Sequence, residues 1–329
     1  MNPAPIASAR IAIVIVNYRT PQLACECLNS LQREILKFPQ CHVWMIDNAS
    51  GDQSGTMLQE WVESHSASWV TLRLMLENRG YAYGNNIGIR EALESSTRFD
   101  YIWLLNPDTE VRENALTHLV SFLETHPHIG LAGSRLEFAD GTPQTSAFRF
   151  PSVLGEIEEG MRLGLISKLL ARWRVPPPPQ EQAHRCDWVA GASLLIRRKV
   201  FDSIGLLDER YFLYFEETDF CYRAARAGWP CWYVPESRVI HYVGQSTGVT
   251  DRQARPKRRP AYWFESRSRY FRQNHNTTIA LWADLAYIAS FTLWRIRRRL
   301  QKKPDTDPPH FLKDLIRQAC ISVLYGRPA

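Results

Sequence analysis

Three carboxylates stand close together in Tyr214-Phe215-Glu216-Glu217-Thr218-Asp219, with Tyr211 and Phe212 just before them and Arg223 and Arg226 just after. Apolar neighbours raise a carboxylate's pKa and suit it to act as a general base. The same acids also complement the positive end of a helix that starts there, so the residues alone leave both roles open. Other polar residues recur directly after apolar runs: Asn17, Asp47-Asn48, Glu77-Asn78 and Asn106-Pro107-Asp108. Asp108 offers a hard oxygen to Mg²⁺ or Mn²⁺ shared with a diphosphate; an Asn-Pro turn is the plainer reading of that tripeptide. His241 closes a short apolar run, Val239-Ile240. Alone it reads as a structural histidine, and paired with Asp108 it becomes a second ligand for Mn²⁺.

The apolar runs preceding these residues have the length and β-branched character of strands, beginning with residues 11–16. Thr20 and Pro21 read as an N-cap and first helical residue, opening a helix to about residue 38. The cycle repeats as strand 42–47, helix 52–64, strand 70–77, helix 85–95 and strand 101–105. This βα alternation with short loops predicts a mostly parallel sheet covered by helices. In such sheets ligands bind at the carboxyl ends of the strands, where the polar residues above all lie. A Gly-rich dinucleotide turn is absent, because the first strand runs into Asn17-Tyr18-Arg19-Thr20. Gly80, Gly84 and Gly88 are not spaced as a phosphate-cradling loop. These features exclude the usual nicotinamide and P-loop classes and leave a nucleotide site built from side chains.

Further along, the pattern predicts a helix over 113–125, a stiff extended connector at the prolines 176–179, a strand over 187–197, a helix over 217–227 with Gly228 as its C′ residue, and a strand over 231–234. Of the 329 residues 45% are hydrophobic and 22% charged, enough for one large or two modest packed domains, and collagen, low-complexity disorder and a disulfide mini-protein are excluded. The net charge of +6 is uneven. Residues 250–303 hold 14 Lys/Arg and 3 Asp/Glu, whereas residues 1–249 hold 23 basic against 28 acidic. A boundary near residue 250 follows, with a basic, aromatic, helical segment over 251–329. There Arg255-Pro256-Lys257-Arg258-Arg259 and Arg295–Arg299 flank Tyr262, Trp263, Phe264, Tyr270, Trp282, Tyr287 and Trp294. Basic and aromatic residues at the edges of an apolar helix suit an anionic membrane surface; packing on the catalytic domain is the other reading. Residues 279–294, interrupted by Asp284, fall short of a spanning helix. Seven cysteines without a CxxC pair, and no leader pattern at the N-terminus, predict a reduced, cytoplasmic chain.

Taken in order, Val14–Tyr18, Ile46–Asp52, Glu77–Tyr81 with Gly84-Asn85-Asn86, Leu105–Asp108 and Phe212–Arg223 strongly resemble glycosyltransferase family 2, in its rhamnosyltransferase-like branch. The resemblance covers about residues 10–250. It implies a GT-A fold, a Rossmann-like mostly parallel sheet flanked by helices with a C-terminal helical extension. It further implies inverting transfer from a nucleotide-diphosphate sugar, dTDP-rhamnose in this branch, to a glycan or lipid-linked saccharide. With such an acceptor the basic aromatic segment suits the inner face of the cell membrane, and the acidic main body opposes nucleic acid as a partner. By the same resemblance Asp47 contacts the pyrimidine, with Asn17, Asn78, Arg79 and Asn85 in the donor blocks. Asn106-Pro107-Asp108 stands at the metal-binding DxD position, with Asn for its first Asp; Asn106 contacts diphosphate or ribose, and Asp108 and His241 hold Mg²⁺ or Mn²⁺. Trp188, Gly191 and Ala192 border donor sugar and acceptor. Glu216-Glu217 replaces the family's Glu-Asp, which makes Glu217 the expected base and Asp219 the second choice. Two competing readings remain, a nucleic-acid module using the basic segment and a non-catalytic nucleotide-sugar-binding protein.

Overall fold

The computed structural model describes residues 8–242 and 256–325. Gly244, which follows the candidate ligand His241, and Arg255 of the basic run lie outside them. The chain divides into two compact units. The first comprises residues 1–148, 178–212 and 216–246, and the second residues 149–177, 213–215 and 247–329. Residues 149–177 thus fall in the same unit as the C-terminal helices.

The first unit opens with β1 (Ile11–Asn17), α1 (Pro21–Lys37), β2 (Cys41–Asp47), α2 (Ser54–Ser64), β3 (Val70–Leu74), α3 (Tyr81–Glu94) and β4 (Tyr101–Leu105). It continues through β5 (Thr109–Val111), α4 (Ala115–Thr125), β6 (Leu131–Glu137) and β7 (Ala147–Phe148). The second unit takes α5 (Val153–Met161) and α6 (Gly164–Leu169), after which the first resumes with β8 (His184–Cys186), β9 (Trp188–Val189), β10 (Ser193–Arg197), α7 (Arg198–Ile204), α8 (Glu216–Arg226) and β11 (Cys231–His241). The helices α9 (Ala261–Asn274), α10 (Thr277–Leu300) and α11 (Phe311–Tyr325) complete the second unit.

Among the described residues, nine strands form one sheet in the order β3-β2-β1-β4-β10-β6-β11-β5, with β8 pairing β11. The pairs β3-β2, β2-β1 and β1-β4 are parallel, as the βα alternation requires. β10 runs antiparallel between β4 and β6, and so brings its preceding loop to the carboxyl end of β4. The register sets Asn17 beside Asp47. β11 pairs antiparallel with β5, His241 opposite Thr109, which is how a histidine far along the chain reaches Asp108. Every residue of β1 and of β4 is buried, matching their unbroken apolar runs.

Some expected boundaries move. The strand expected over 187–197 is broken at residues 190–192 into β9 and β10. β11 extends to His241, well past the expected end at 234. Thr20 makes no side-chain cap to α1; its hydroxyl donates to Asn17 Oδ1 at 3.0 Å instead. Helix α3 starts at Tyr81, four residues earlier than expected, because Gly80 at φ 98° lets the backbone turn directly into it. A Cβ on Gly80 would lie 2.2 Å from the Phe212 carbonyl oxygen. On α3, a Cβ at Gly84 would meet Val16 Cγ1 at 2.8 Å and one at Gly88 would meet Val14 Cγ1 at 2.7 Å, so this helix lies directly on β1.

In the second unit the tail aromatics largely form a core. Phe264, Tyr287, Phe291, Phe311 and Leu315 cluster, with Trp263 and Trp294 partly buried against them. Its polar centre is Arg267, which is buried and bonds Glu156 of α5 at 2.9 Å and Asp284 of α10 at 2.5 Å. Burial pushes the Glu156 carboxyl up to about 7 despite the adjacent guanidinium. A folded-state pKa raised in this way contributes stability that is present below the unfolded value of about 4.3 and is lost as pH rises through about 7. The chain is therefore expected to lose stability between those pH values in urea titrations, and Glu156→Gln is expected to flatten that slope. Arg267→Met, which leaves two buried acids unpaired, is expected to cost about 3–5 kcal/mol at pH 8.

Candidate active site

The carboxyl ends of β1, β2 and β4, the loop before β10 and the start of α8 gather most of the residues singled out above. Asp47 ends β2 and is buried. Its Oδ1 accepts from Asn17 Nδ2 at 2.8 Å and from Ser50 Oγ at 2.6 Å, while Oδ2 has one longer donor, Ser50 N at 3.3 Å. Asn17 has no exposed surface, and its Oδ1 takes the Thr20 hydroxyl and amide. With both ends engaged, Asn17 orients Asp47.

The neighbouring loop is held by amides. Asn48 Nδ2 donates to Asn78 Oδ1 at 3.0 Å and to the Gly80 carbonyl at 3.1 Å, and Asn78 Oδ1 also takes the Gly80 N–H. Arg79 is exposed, stacks on Tyr83 with its guanidinium 4.2 Å from the ring centroid, and lies 3.6 Å from Glu77. It does not join the Asn48–Asn78 network. Asn85 is buried and donates to the Tyr81 carbonyl one turn earlier, a bond within its own helix.

Tyr81 connects these blocks, and its role escaped the sequence reading because an aromatic residue at a helix start reads as packing. Its N–H donates to the Phe212 carbonyl at 2.7 Å. Its hydroxyl donates to Asn106 Oδ1 at 2.7 Å and approaches the Gly191 carbonyl at 3.3 Å. Burial, followed by the charges of Glu217, Glu216 and Asp108, pushes the phenol's pKa up, so it remains a donor. Asn106 is fixed further by its N–H on the Ala192 carbonyl and by Thr109 Oγ1 on its own carbonyl. Trp188 stacks on Phe148 with centroids 4.2 Å apart, at the edge of the same loop.

At the head of α8 the chain passes through Tyr214 and Phe215 at φ 70° and 69°, a left-handed conformation costly for bulky residues. Glu216 and Glu217 follow immediately. Burial, then the charge of Glu217, raises Glu216 well above an ordinary carboxyl. Burial also raises Glu217, while its own N–H and that of Gly191 hold it back. Glu217 Oε1 lies 3.7 Å from where a Gly191 Cβ would stand, an ordinary contact distance that sets the carboxylate beside this loop. Asp219 is different. It is wholly buried and bonded to Arg223 at 2.8 Å, whose other nitrogens hold the Ile204 and Leu206 carbonyls. That network makes Asp219 a structural anchor for α8.

Among the buried oxygens of this unit that lack a partner in the described residues are the amide and carboxylate oxygens Asn48 Oδ1, Asn85 Oδ1, Glu216 Oε2 and Glu217 Oε2. Buried acceptors without partners invite a ligand or water that donates, such as a hydroxyl-rich one. Asp108 is buried, and its Oδ1 lies 3.4 Å from His241 Nε2. No third His, Cys, Asp or Glu joins them among the described residues. A carboxylate plus an imidazole fits Mg²⁺ or Mn²⁺ that takes its remaining ligands from a diphosphate and water.

Comparison with known proteins bears on the family and the fold. Residues 9–275 match the model of the family described as "Glycosyltransferase like family 2". The chain is 31% identical over 159 residues to the N-acetylglucosaminyl-diphospho-decaprenol L-rhamnosyltransferase of Mycobacterium tuberculosis, covering 45% of this chain and 49% of that protein. It is 29% identical over 170 residues to rhamnosyltransferase WbbL of Escherichia coli, covering 50% and 61%. It is 23% identical over 240 residues to the dTDP-rhamnosyl transferase RfbF of Shigella flexneri, covering 73% and 71%. The match thus spans about half the length of the mycobacterial relative. Among solved structures, a Pyrobaculum calidifontis mannosyltransferase in complex with GDP-Man and Mn²⁺ superposes with a TM-score of 0.55 at 14% identity, over 99% of this chain and 84% of that one. GalNAc-T7 with UDP, GalNAc and Mn²⁺ gives 0.60 at 16% identity, over 97% and 58%. These likenesses show a GT-A fold.

Two stability measurements check the site's electrostatics. Because Glu216 has a raised folded-state pKa, its favourable contribution exists below the unfolded pKa and is lost as pH rises. Glu216→Gln is therefore expected to melt above wild type at pH 8, with the gap closing as pH falls toward 4. Tyr81→Phe keeps the ring and removes the Asn106 bond, and is expected to cost about 1 kcal/mol in denaturant unfolding.

Proposed function

The chain belongs to glycosyltransferase family 2, and from that premise we propose that it is an inverting, metal-dependent enzyme that moves L-rhamnose from dTDP-rhamnose to a glycan or lipid-linked saccharide. Its work would belong to cell-surface or exopolysaccharide synthesis, at the cytoplasmic face of the cell membrane. The names of the mycobacterial, E. coli and Shigella relatives support rhamnose, and the last supports the dTDP donor. The observation that carries a catalytic reading is Glu217, a half-buried residue whose Oε2 is buried and free of any donor among the described residues, set beside Gly191.

In this reading Asp47 Oδ2 receives the base of the nucleotide, with Asn17 and Ser50 holding the carboxylate in place. Tyr81 orients Asn106 toward the diphosphate or ribose. Asp108 and His241 would hold Mg²⁺ or Mn²⁺, which when bound offsets charge on the leaving diphosphate. Glu217 takes the proton from the acceptor hydroxyl as that oxygen attacks the anomeric carbon from the face opposite the leaving group. Its raised pKa makes it a stronger base once ionised, and enclosure of both substrates supplies orientation. No covalent sugar intermediate is needed.

The nucleic-acid reading has less basic surface to draw on than the sequence count implied. Arg258 is paired with Asp314, Arg267 with Glu156 and Asp284, and Arg298 with Asp305 and Asp307, while Arg297 holds the carbonyls of Met161 and Arg162.

Thermal melts with dTDP-, UDP- and GDP-sugars, with Mg²⁺ or Mn²⁺ and with chelator, test the donor. One nucleotide is expected to protect in the presence of metal, and Asp108→Ala is expected to lose that protection. Glu217→Gln is expected to keep it while transfer falls by about 10²–10⁴-fold. In wild type the rate is expected to decline as pH drops through the raised pKa of Glu217, because the base must be ionised. A folded protein that no nucleotide sugar stabilises would overturn the proposal.

A further inference from the structure

Helix α10 has two unlike faces. Ala283, Asp284, Tyr287, Ser290 and Phe291 are buried within the second unit. On the opposite side Trp282, Leu285, Leu293, Ile296 and Leu300 are 60%, 56%, 52%, 51% and 79% exposed, with Ala289 exposed between them. From Trp282 to Leu300 these six residues recur on average every 3.6 positions, the period of a straight helix. They therefore form one flat strip about 27 Å long. A helical partner wound into a coiled coil would call for 3.5. An apolar strip of this extent marks an interaction surface. At its C-terminal end Arg299, Lys302 and Lys303 are exposed and enter no ion pair among the described residues. Flatness, apolarity and an adjacent cationic cluster together match an anionic lipid leaflet.

We infer that α10 lies in the plane of an anionic membrane, with the Trp282–Leu300 strip at the boundary between headgroups and acyl chains. This deepens, and rests on, the membrane location proposed above. The helix is by length and composition long enough to cross a bilayer. A crossing would carry Asp284 into hydrocarbon and pull it from Arg267, whereas lying flat keeps that buried pair intact. Of the tail aromatics expected to form a membrane belt, Tyr270 and Tyr287 are instead core residues, and Trp282 is the one the strip exposes.

Flotation of the full chain with phosphatidylcholine vesicles, and with vesicles in which about a third of the lipid is phosphatidylglycerol, tests the inference. Binding is expected to the anionic vesicles and to weaken with salt. The double variant Leu285→Ser/Leu293→Ser is expected to lose at least tenfold in partitioning. Arg299→Gln/Lys302→Gln/Lys303→Gln is expected to lose roughly fivefold per charge, on anionic vesicles alone. Leu36→Ser, more exposed still but in the first unit, is expected to change nothing, and melting curves confirm that each variant is folded. Failure of the wild type to float with anionic vesicles overturns the inference, as does flotation unaffected by both multiple variants. A dimer in solution that the leucine variant dissociates, without vesicle binding, overturns it in favour of a second copy. Nucleotide-sugar protection measured on the same samples reports separately on the catalytic reading.

Discussion

Burying a carboxylate oxygen without a partner is costly, and the first unit does this twice in succession at the start of α8, at Glu216 Oε2 and Glu217 Oε2. Much nearby structure serves to make that tolerable. The free N–H groups of the helix start and the Gly191 amide face the acids. One turn later the Asp219–Arg223 pair fastens the helix to the carbonyls after α7, so its first turn does not swing toward water. Gly80 closes on the Phe212 backbone at a distance that admits no side chain, and Tyr81 ties the same place to Asn106 and Gly191. The polar residues here are mostly engaged in holding one another, and the few oxygens left over are the ones able to meet a substrate.

The second unit solves a related problem differently. Arg267 gathers Glu156 and Asp284 into one buried cluster, with a single guanidinium set against two acids. The guanidinium lies 5.1 Å from the ring centroid of Phe271 and 5.5 Å from that of Tyr287, and Tyr287 also belongs to the aromatic core and donates its hydroxyl to Glu159 at 3.0 Å. Charge that looks like surface basicity in the sequence is in large part internal wiring.

The parallel half of the sheet was legible from the sequence because each strand is a short buried apolar run followed by a polar residue, and each helix has its own period. The carboxyl-end residues were legible for the same reason. What could not be read were features set by contacts distant along the chain. The antiparallel insertion of β10 depends on pairing with β4 and β6, not on any local pattern. The move of α5 into the C-terminal unit depends on Glu156 meeting a residue 111 positions away. Asp219 looked equivalent to its neighbours until Arg223, one turn on, was seen to occupy it.

Helix α3 rests on β1 through two glycines one turn apart, with Val16 and Val14 filling the space a side chain would need. The interface has no slack, since helix and strand are already at the closest approach their backbones allow. For a lineage of such proteins this couples positions far apart in the gene: a larger residue at 84 or 88 is viable only alongside a smaller one at 16 or 14. Divergence along this seam is thus confined to paired exchanges, while the outward face of the same helix is free to drift one residue at a time.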